Sequence, residues 1–341
     1  MRGSRRRFLG AIGTGAMGLN SPYVGPPRKK AGASRPDVRD LDRAAAAPVL
    51  RLDGLTSPVI IESLRFLKKG GEHFVHVRSR DGAEGISVAN PPRAEYLDEI
   101  LEQLVMPFFV GKDARDLETL LWELYRWRDN YKLQGLALWS PQAWVEFAVL
   151  DMLGRIARKA MGALLGDVVR QEVACCPQAI KVGRMLEDVK AVYFEEPCPF
   201  DHLEDTKAVA DALTIPVAGG EQEFSDWRFR WMIANRGVDI VQPDLHYYGG
   251  MIRSVRVARM AALAQMPTTV HISGGFGFVY MLHFASCVPD IGRYQEYKLG
   301  RETYDWFDPP LKVKDGRMTV PAGPGVGIKD VSGVLKGAVE V

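Results

Sequence analysis

Apolar and polar residues alternate differently in the two halves of the chain. In the first half, the stretches VIIESLRFL and HFVHVRSRDGAEGISV carry short β-branched runs, and Asp81-Gly82 in the second stretch predicts a hairpin turn. Residues 94–165 instead place apolar side chains at intervals of three and four, which predicts a block of helices. Strands followed by helices indicate an α+β domain, which we assign to residues 48–165.

The second half alternates between short strands and helices. The runs AVYFEE, IPVAGGE, VDIVQPD, TTVHIS and RYQEY are separated by helical stretches, a pattern that predicts parallel strands. An ionisable residue stands near the end of each run, and these residues are Glu195, Glu221, Asp244, His271 and Glu296. They follow one another at steps of 26, 23, 27 and 25 residues, about the length of one unit of a β/α barrel. Because the carboxyl ends of barrel strands converge on one face, the series predicts an active site there.

Composition restricts the classes of function. The chain has 341 residues, of which 47% are hydrophobic and 25% charged, as is typical of a globular protein. Lysine and arginine number 44 against 42 acidic residues, so the overall charge does not indicate a nucleic-acid-binding protein. No stretch is long and apolar enough for a membrane helix. We therefore expect neither nucleic acid nor a membrane as a partner.

The charge is unevenly distributed, because residues 1–33 hold seven bases and no acid. Their beginning, MRGSRRRFLGAIGTGAMGLN, resembles a twin-arginine export signal, with a basic stretch before a short, weakly apolar segment. We predict a signal peptide over 1–33 and an exported, periplasmic or extracellular protein; a basic disordered tail is the alternative. Residues 34–47 lack periodicity and are predicted to be a linker.

The cysteines do not indicate a metal site. There are four of them, Cys175, Cys176, Cys198 and Cys287. They have no C-x-x-C spacing, and no pair of histidines stands nearby at the intervals of a zinc site. We expect buried free thiols; a disulfide formed after export is the alternative.

The order of these motifs resembles the enolase superfamily, in particular its mandelate racemase-type branch. The matching stretches are YFEEP, IPVAGGEQ, VDIVQPDLHYYGG, VHISG and YQEY, with FAVLDMLGRIARKAMGALLG before them and DGRMTVPAGPGVGI after them. The resemblance covers residues 48–341. It implies that 48–165 form a capping domain and that 301–341 form a C-terminal return that packs on it.

The resemblance also implies roles for the series of ionisable residues. Glu195 and Glu221 match two of the three carboxylates that hold a divalent ion, usually Mg²⁺, in that family. His271 matches the catalytic base, oriented by Asp244, and Glu296 matches the group that hydrogen-bonds to the substrate carboxylate. The implied reaction removes the proton α to a carboxylate of a small acid and passes through an enediolate. His246, two residues beyond Asp244, is a weaker candidate for substrate contact.

Upstream of Glu195 the regular step fails. The stretch AIKVGRM resembles the second barrel strand, and its Lys181 matches one lysine of the family's Lys-x-Lys. Two units, or about 50 residues, should separate that lysine from Glu195, but only 14 residues do. The chain is therefore expected to lack much of the second and third units, including the first metal ligand, for which Glu187 and Asp188 are poor substitutes. We predict an α/β fold with an incomplete (β/α)7β-type TIM-like barrel over residues 166–300.

Three functional hypotheses follow. The first is a Mg²⁺-dependent dehydratase or racemase/epimerase acting on a sugar acid or hydroxy acid. The second is a catalytically impaired remnant that lacks the first metal ligand and at most binds a carboxylated ligand. The third, an unrelated β/α-barrel hydrolase with a pair of acid/base carboxylates, leaves Asp244 and His271 without a role. The sequence leaves homo-oligomerisation and the identity of the substrate open.

Overall fold

The structure is a computed structural model, which describes residues 37–177, 191–271, 277–297, 306–307 and 310–340. It contains an N-terminal capping domain and a C-terminal domain of parallel strands and helices that resembles a TIM barrel. The predicted fold class is therefore confirmed.

The capping domain begins with an antiparallel sheet. Strands β1 (Ile61–Lys69), β2 (Glu72–Ser79) and β3 (Glu84–Ala89) pair in sequence order, and the predicted hairpin joins β2 to β3. Gly82 in that turn has φ +82°, a conformation that glycine adopts without steric cost. The short C-terminal strand Val339–Glu340 pairs with the other edge of β1, so the end of the chain returns to this sheet.

The predicted block of helices follows the sheet. It comprises α2 (Pro91–Ile100), α3 (Met106–Phe109), α4 (Leu117–Arg126), α5 (Leu136–Ala157) and α6 (Met161–Leu165), with short π and 3-10 segments between them. Helix α5 is buried along most of its length and packs against β3, which places it at the centre of the larger hydrophobic core. Among the helices of the described ranges, none combines the length and apolar character needed to cross a bilayer.

The barrel-type domain is built from short parallel strands. These are β4 (Glu172–Pro177), β5 (Phe194–Glu195), β6 (Val217–Gly219), β7 (Ile240–Val241) and β8 (Gln295–Tyr297). Helices α7 (Leu203–Ala212), α8 (Asp226–Asn235), α9 (Met251–Leu263) and α10 (Gly277–Cys287) lie between or beside them. The antiparallel hairpin of β9 (Val313–Lys314) and β10 (Arg317–Thr319) extends the sheet beyond β4, and α11 (Val331–Leu335) precedes β11 (Val339–Glu340).

The parallel strands form an arc. Strand β5 pairs with β6 and β6 with β7, and bridges at Thr268 connect β7 to the segment that leads into β8. Strand β8 pairs with β4. Within the described part of the chain, no strand connects β4 to the free edge of β5. Residues 178–190, which connect β4 to β5 along the chain, lie outside the described ranges, so the gap expected upstream of Glu195 stays a prediction.

The prediction of a linker over residues 34–47 is wrong for most of its length. Val38–Ala46 form helix α1, which packs against α9 and α8 and buries Leu41 completely. Arg230 of α8 forms an ion pair with Asp42, at 3.0 Å from Nη1 to Oδ1. The sequence pattern did not reveal this helix, because it has few apolar side chains and tertiary packing supplies its stability.

Glu146 joins the capping domain to the barrel. Its side chain is fully buried, and Oε1 accepts a hydrogen bond of 2.9 Å from the backbone N–H of Ile252 in the first turn of α9. Oε2 has no hydrogen-bond partner among the described residues. Burial raises the pKa of Glu146 to about 8. The backbone N–H groups of Ile252 and Met251 and the nearby arginines act in the opposite direction but are outweighed. The neutral acid is therefore the favoured form in the folded protein at pH 7.

Replacing Glu146 with glutamine is expected to remove a pH dependence of stability. The folded-state pKa lies above the ordinary glutamate value, so the contribution of Glu146 is fully present below about pH 4.5 and is lost as the pH rises towards 8. Relative to Glu146→Gln, the wild-type free energy of unfolding should fall by on the order of 3 kcal/mol between about pH 5 and about pH 8. Urea denaturation at several pH values measures this difference, with the exposed Glu99→Gln as control. Parallel pH profiles of wild type and Glu146→Gln would contradict the prediction.

Candidate active site

The strand ends bring the predicted ionisable residues to one face of the arc. Glu195 is the last residue of β5, and Glu221 follows the end of β6 by two residues. Asp244 lies three residues beyond β7 and forms a parallel bridge with His271 on the neighbouring segment. Glu296 lies in β8. Five residues that are distant in sequence thus lie on successive parallel segments, as the regular step predicts.

His271 and Asp244 form a closely bonded pair. The distance from His271 Nδ1 to Asp244 Oδ2 is 2.6 Å, and Asp244 is completely buried. The other carboxylate oxygen of Asp244 accepts hydrogen bonds from the backbone N–H groups of His246 and Tyr247, at 2.7 and 2.8 Å. Because a carboxylate accepts hydrogen bonds, His271 donates through Nδ1–H, and Nε2 is then the acceptor nitrogen of the neutral imidazole. This arrangement suits a general base.

Two carboxylates face the basic nitrogen. His271 Nε2 lies 3.6 Å from Glu221 Oε2 and 3.6 Å from Glu296 Oε2, which is longer than a hydrogen bond. The side chains of His271, Glu221 and Glu296 are 11%, 18% and 13% exposed, so the site is largely shielded but still reaches solvent. The negative charges of Glu221 and Glu296 would stabilise the positive charge of a protonated His271.

The environment raises the pKa of both His271 and Glu221. Burial acts to lower the pKa of His271, but the hydrogen bond and charge of Asp244, with the charges of Glu221 and Glu296, raise it above the ordinary histidine value. Burial is the main cause that raises the pKa of Glu221, and the neighbouring carboxylates add to it, although His271 opposes them. The site therefore concentrates negative charge and favours binding of a positive group.

Two amide side chains hold the carboxylates on the first two strand ends. Gln242 Nε2 donates to Glu195 Oε1 at 2.6 Å, and Gln222 Nε2 donates to Glu221 Oε1 at 3.1 Å. Each glutamine donates a hydrogen bond to one oxygen of the carboxylate and thereby orients the glutamate side chain. The sequence analysis missed both glutamines, although Gln242 stands two residues before Asp244 and therefore on the same strand end.

The carboxylates fit a divalent ion only in part. Glu195 and Glu221 supply hard oxygen donors of the kind that Mg²⁺ prefers, and burial together with the neighbouring carboxylates raises the pKa of Glu221. However, no group of three or more potential ligand side chains is clustered suitably for a metal ion in the described part of the chain. These residues could supply two ligands, with water and substrate oxygens needed for the remainder.

Three residues named from the sequence lie outside the described ranges. They are Lys181, the predicted site lysine, and Glu187 and Asp188, the weak substitutes for the first metal ligand. His246 is described, and it is buried against the rings of Phe147 and Tyr280. Burial lowers its pKa, which favours a neutral, structural histidine.

A capping-domain arginine reaches towards the site. The guanidinium carbon of Arg93 in α2 lies 5.6 Å from the ring centroid of Tyr247, and the ring of Tyr247 lies 6.3 Å from that of His271. Arg93 also donates to the hydroxyl of Tyr96 at 2.8 Å. Nothing in the sequence pattern links Arg93 to the strand ends, because the contact exists only once the two domains pack together.

Comparison with known families matches most of the chain. Residues 63–166 match the family described as "Mandelate racemase / muconate lactonizing enzyme, N-terminal domain". Residues 155–330 match the family described as "Enolase C-terminal domain-like". The two matches together include every described residue of the site.

Similar proteins with curated functions are sugar-acid dehydratases. The arabinonate dehydratase of Saccharolobus solfataricus is 28% identical over 184 residues, which are 52% of this chain and 49% of that protein. The D-galactonate dehydratase of Xanthomonas campestris pv. campestris is 30% identical over 173 residues, covering 48% of this chain and 45% of that protein. The chain thus spans about half the length of the curated relatives it matches.

Solved structures support the same architecture. The mandelate racemase/muconate lactonizing protein of Paracoccus denitrificans, solved in complex with magnesium, aligns with a TM-score of 0.72 at 21% identity. The alignment covers 83% of this chain and 99% of that chain. At this identity the similarity concerns the fold.

Proposed function

The chain belongs to the enolase superfamily, as a member of the mandelate racemase and muconate lactonizing enzyme type, and on this premise we propose that it abstracts the proton α to a carboxylate. The carrying observation is the His271–Asp244 pair, in which His271 Nε2 lies 3.6 Å from a carboxylate oxygen of Glu221 and of Glu296. The substrate class that we propose is a small hydroxy acid or sugar acid, and the reaction is a dehydration or a racemisation/epimerisation. The dehydratases among its relatives support this proposal.

The residues of the chain divide the work of proton transfer. His271 Nε2 accepts the α-proton, and the resulting imidazolium keeps its Nδ1–H on Asp244. Asp244 cannot rotate away, because two backbone N–H groups hold its second oxygen. Glu221 and Glu296, each 3.6 Å from Nε2, stabilise the positive charge. In a dehydration the same imidazolium returns a proton to the departing hydroxyl; in a racemisation a second group must deliver a proton to the opposite face.

We propose that Glu195 and Glu221 would hold a Mg²⁺ ion, oriented by Gln242 and Gln222. When bound, the ion supplies positive charge that stabilises the substrate carboxylate as negative charge develops on it.

The proposal is tested by exchange of the α-proton with deuterated solvent. Purified full-length protein with Mg²⁺ is incubated in deuterium oxide with a panel of aldonic, uronic and α-hydroxy acids, and mass spectrometry follows incorporation at the α-carbon. Incorporation with at least one acid supports the proposal. No incorporation with any acid, under conditions in which an intact family member shows it, would exclude the activity.

A second candidate function is favoured by the absence, among the described residues, of a cluster of three side chains that could hold a metal ion. A chain that supplies only two carboxylates to the metal could bind an acid without turning it over. This remnant hypothesis predicts weak or absent Mg²⁺ binding in the protein.

Magnesium titration distinguishes the two candidates. For a competent site, calorimetry is expected to show specific binding that Glu221→Gln weakens by at least about tenfold, because one of two protein ligands is lost. The exposed Glu204→Gln on α7 should bind like wild type. Micromolar affinity in the wild-type protein would rule out the remnant, and binding unchanged in Glu221→Gln would place the ion elsewhere.

A further inference from the structure

An aromatic pocket lies at the junction of the capping domain and the barrel, apart from the strand-end site. Its volume is about 380 Å³, within the range of sites for small molecules. Its walls come from α4, residues 131–134, the beginning of α5, the segment after β6, the start of α8 and the first turns of α9. Neither His271 nor any of the predicted site carboxylates lines it. The proposed proton abstraction therefore gives this pocket no role.

Buried polar atoms without partners line the inner wall. Arg253 Nη1 and Arg256 Nε are buried donors, and Gln142 Oε1 is a buried acceptor; none has a hydrogen-bond partner among the described residues. Gln142 is 1% exposed, and its Nε2 donates to Gly249 O at 3.3 Å, which orients the amide. Since buried polar groups normally find partners, these three atoms indicate a ligand or water that supplies both acceptors and a donor.

The charges in the pocket are balanced. Arg253 Nη2 forms an ion pair with Asp226 Oδ1 at 2.7 Å, and Arg256 Nη2 forms one with Glu118 Oε2 at 3.2 Å. Each guanidinium thus keeps its own counterion and still has an unused N–H. A neutral ligand can therefore supply the hydrogen bonds that these two arginines lack, since their charges are already paired.

Aromatic rings form the remaining walls. Tyr125 stacks between Trp122 and Trp139, with centroid distances of 5.4 Å on both sides. Trp122 is 59% exposed and Trp227 is 68% exposed, although both rings line the pocket. A cluster of exposed rings around a concave surface is costly to leave in water and marks an interaction site.

We propose that this pocket binds a neutral saccharide. A hydroxyl group can accept from an arginine N–H and at the same time donate to Gln142 Oε1, so a polyol satisfies all three unpartnered atoms. The apolar C–H face of a pyranose ring packs against the tryptophans. A carboxylate would satisfy Arg253 and Arg256 but would face the carbonyl oxygen of Gln142 and add unbalanced charge.

The proposal is tested by direct binding to the full-length protein, which requires no catalytic activity. Methyl glucoside, methyl galactoside, methyl xyloside and cellobiose are titrated in the millimolar range, by calorimetry and by tryptophan fluorescence. Trp122→Ala and Trp227→Ala are each expected to weaken binding about threefold to tenfold, because each removes one ring. The exposed Tyr96→Ala, on a ring outside the pocket, is the matched control. Arg256→Lys keeps the charge opposite Glu118 and removes Nε–H, and it should also weaken binding.

Each other outcome overturns the proposal. Absence of binding by every glycoside, or binding that Trp122→Ala, Trp227→Ala and Arg256→Lys all leave unchanged, would show that the pocket does not take a saccharide. Benzoate that binds while the glycosides do not would assign the pocket to aromatic acids. Self-association that Trp122→Ala and Trp227→Ala abolish, in the absence of saccharide binding, would assign the rings to an interface between copies of the chain.

Discussion

Replacing His271 with asparagine is expected to lower the rate of α-proton exchange by about 10²–10⁴-fold, with little change in stability. An asparagine side chain can still accept a hydrogen bond, but it cannot take up a proton near neutral pH. The loss should appear in kcat, since the imidazole acts on the proton in the transition state and contributes little to binding of the ground state. Deuterium incorporation into an acid that the wild-type protein exchanges measures this rate.

The exposed His202→Asn is the matched control, since its side chain is 60% exposed and it begins a helix outside the site. It should exchange protons at the wild-type rate. If His271→Asn retained more than about a tenth of the wild-type rate, His271 would not be the base, and the proposed mechanism would fail. Circular dichroism of both variants shows whether the fold is intact.

Replacing Asp151 with alanine is expected to cost about 3–5 kcal/mol of stability, the largest effect that we expect from a single substitution outside the active site. Asp151 lies in α5 and is completely buried. Its Oδ2 accepts from the backbone N–H of Ile86 and from Arg155 Nε, both at 2.9 Å. Its Oδ1 accepts from the backbone N–H of Val326 at 2.8 Å. Loss of the carboxylate would leave three buried donors unpaired at the point where the sheet, the central helix and the C-terminal return meet.

Urea denaturation of Asp151→Ala and wild type measures this cost as a shift of the midpoint. Asp167→Ala removes the acid of another Asp–Arg pair, but Asp167 is 79% exposed and, among the described residues, is bonded only to Arg51. That control should unfold at the wild-type midpoint, because water replaces the ion pair. Similar midpoints for Asp151→Ala and Asp167→Ala would mean that the buried network contributes nothing beyond a surface pair.

The described residues allow the two parts of the proposed site to be tested separately. The His271–Asp244 pair and the two carboxylates near His271 Nε2 lie together, whereas the proposed metal site has two candidate protein ligands, Glu195 and Glu221. Proton exchange and magnesium titration therefore examine different halves of the same site. Exchange without a strong metal site would mean that Glu195 and Glu221 suffice, and metal binding without exchange would direct attention to Lys181. Export of the protein stays a prediction, since residues 1–36 lie outside the described ranges.

Much of the fold and the main site residues could be predicted from the sequence. Helix and strand periodicity are local properties of the chain, so the hairpin of the capping sheet and its block of helices were both predicted. The step of about 25 residues between ionisable strand ends is also visible in one dimension. Parallel strands convert that step into spatial proximity of the strand ends, whereas the specific pairing of Asp244 with His271 was implied by the resemblance to the enolase superfamily. The resemblance to a known family then supplied the expected role for each residue.

Only the tertiary structure decided the features that depend on contacts between distant segments. Helix α1 forms because α8 and α9 cover its few apolar side chains, and its own sequence carries too weak a pattern to predict it. Gln242 orients Glu195 across two strands, and Arg93 approaches Tyr247 only when the capping domain packs on the barrel. The same packing assembles the aromatic pocket from several helices and the segments between them, and it balances the charges of the pocket. Sequence patterns record which face of an element is apolar, whereas complementarity between elements depends on side-chain distances that no local pattern contains.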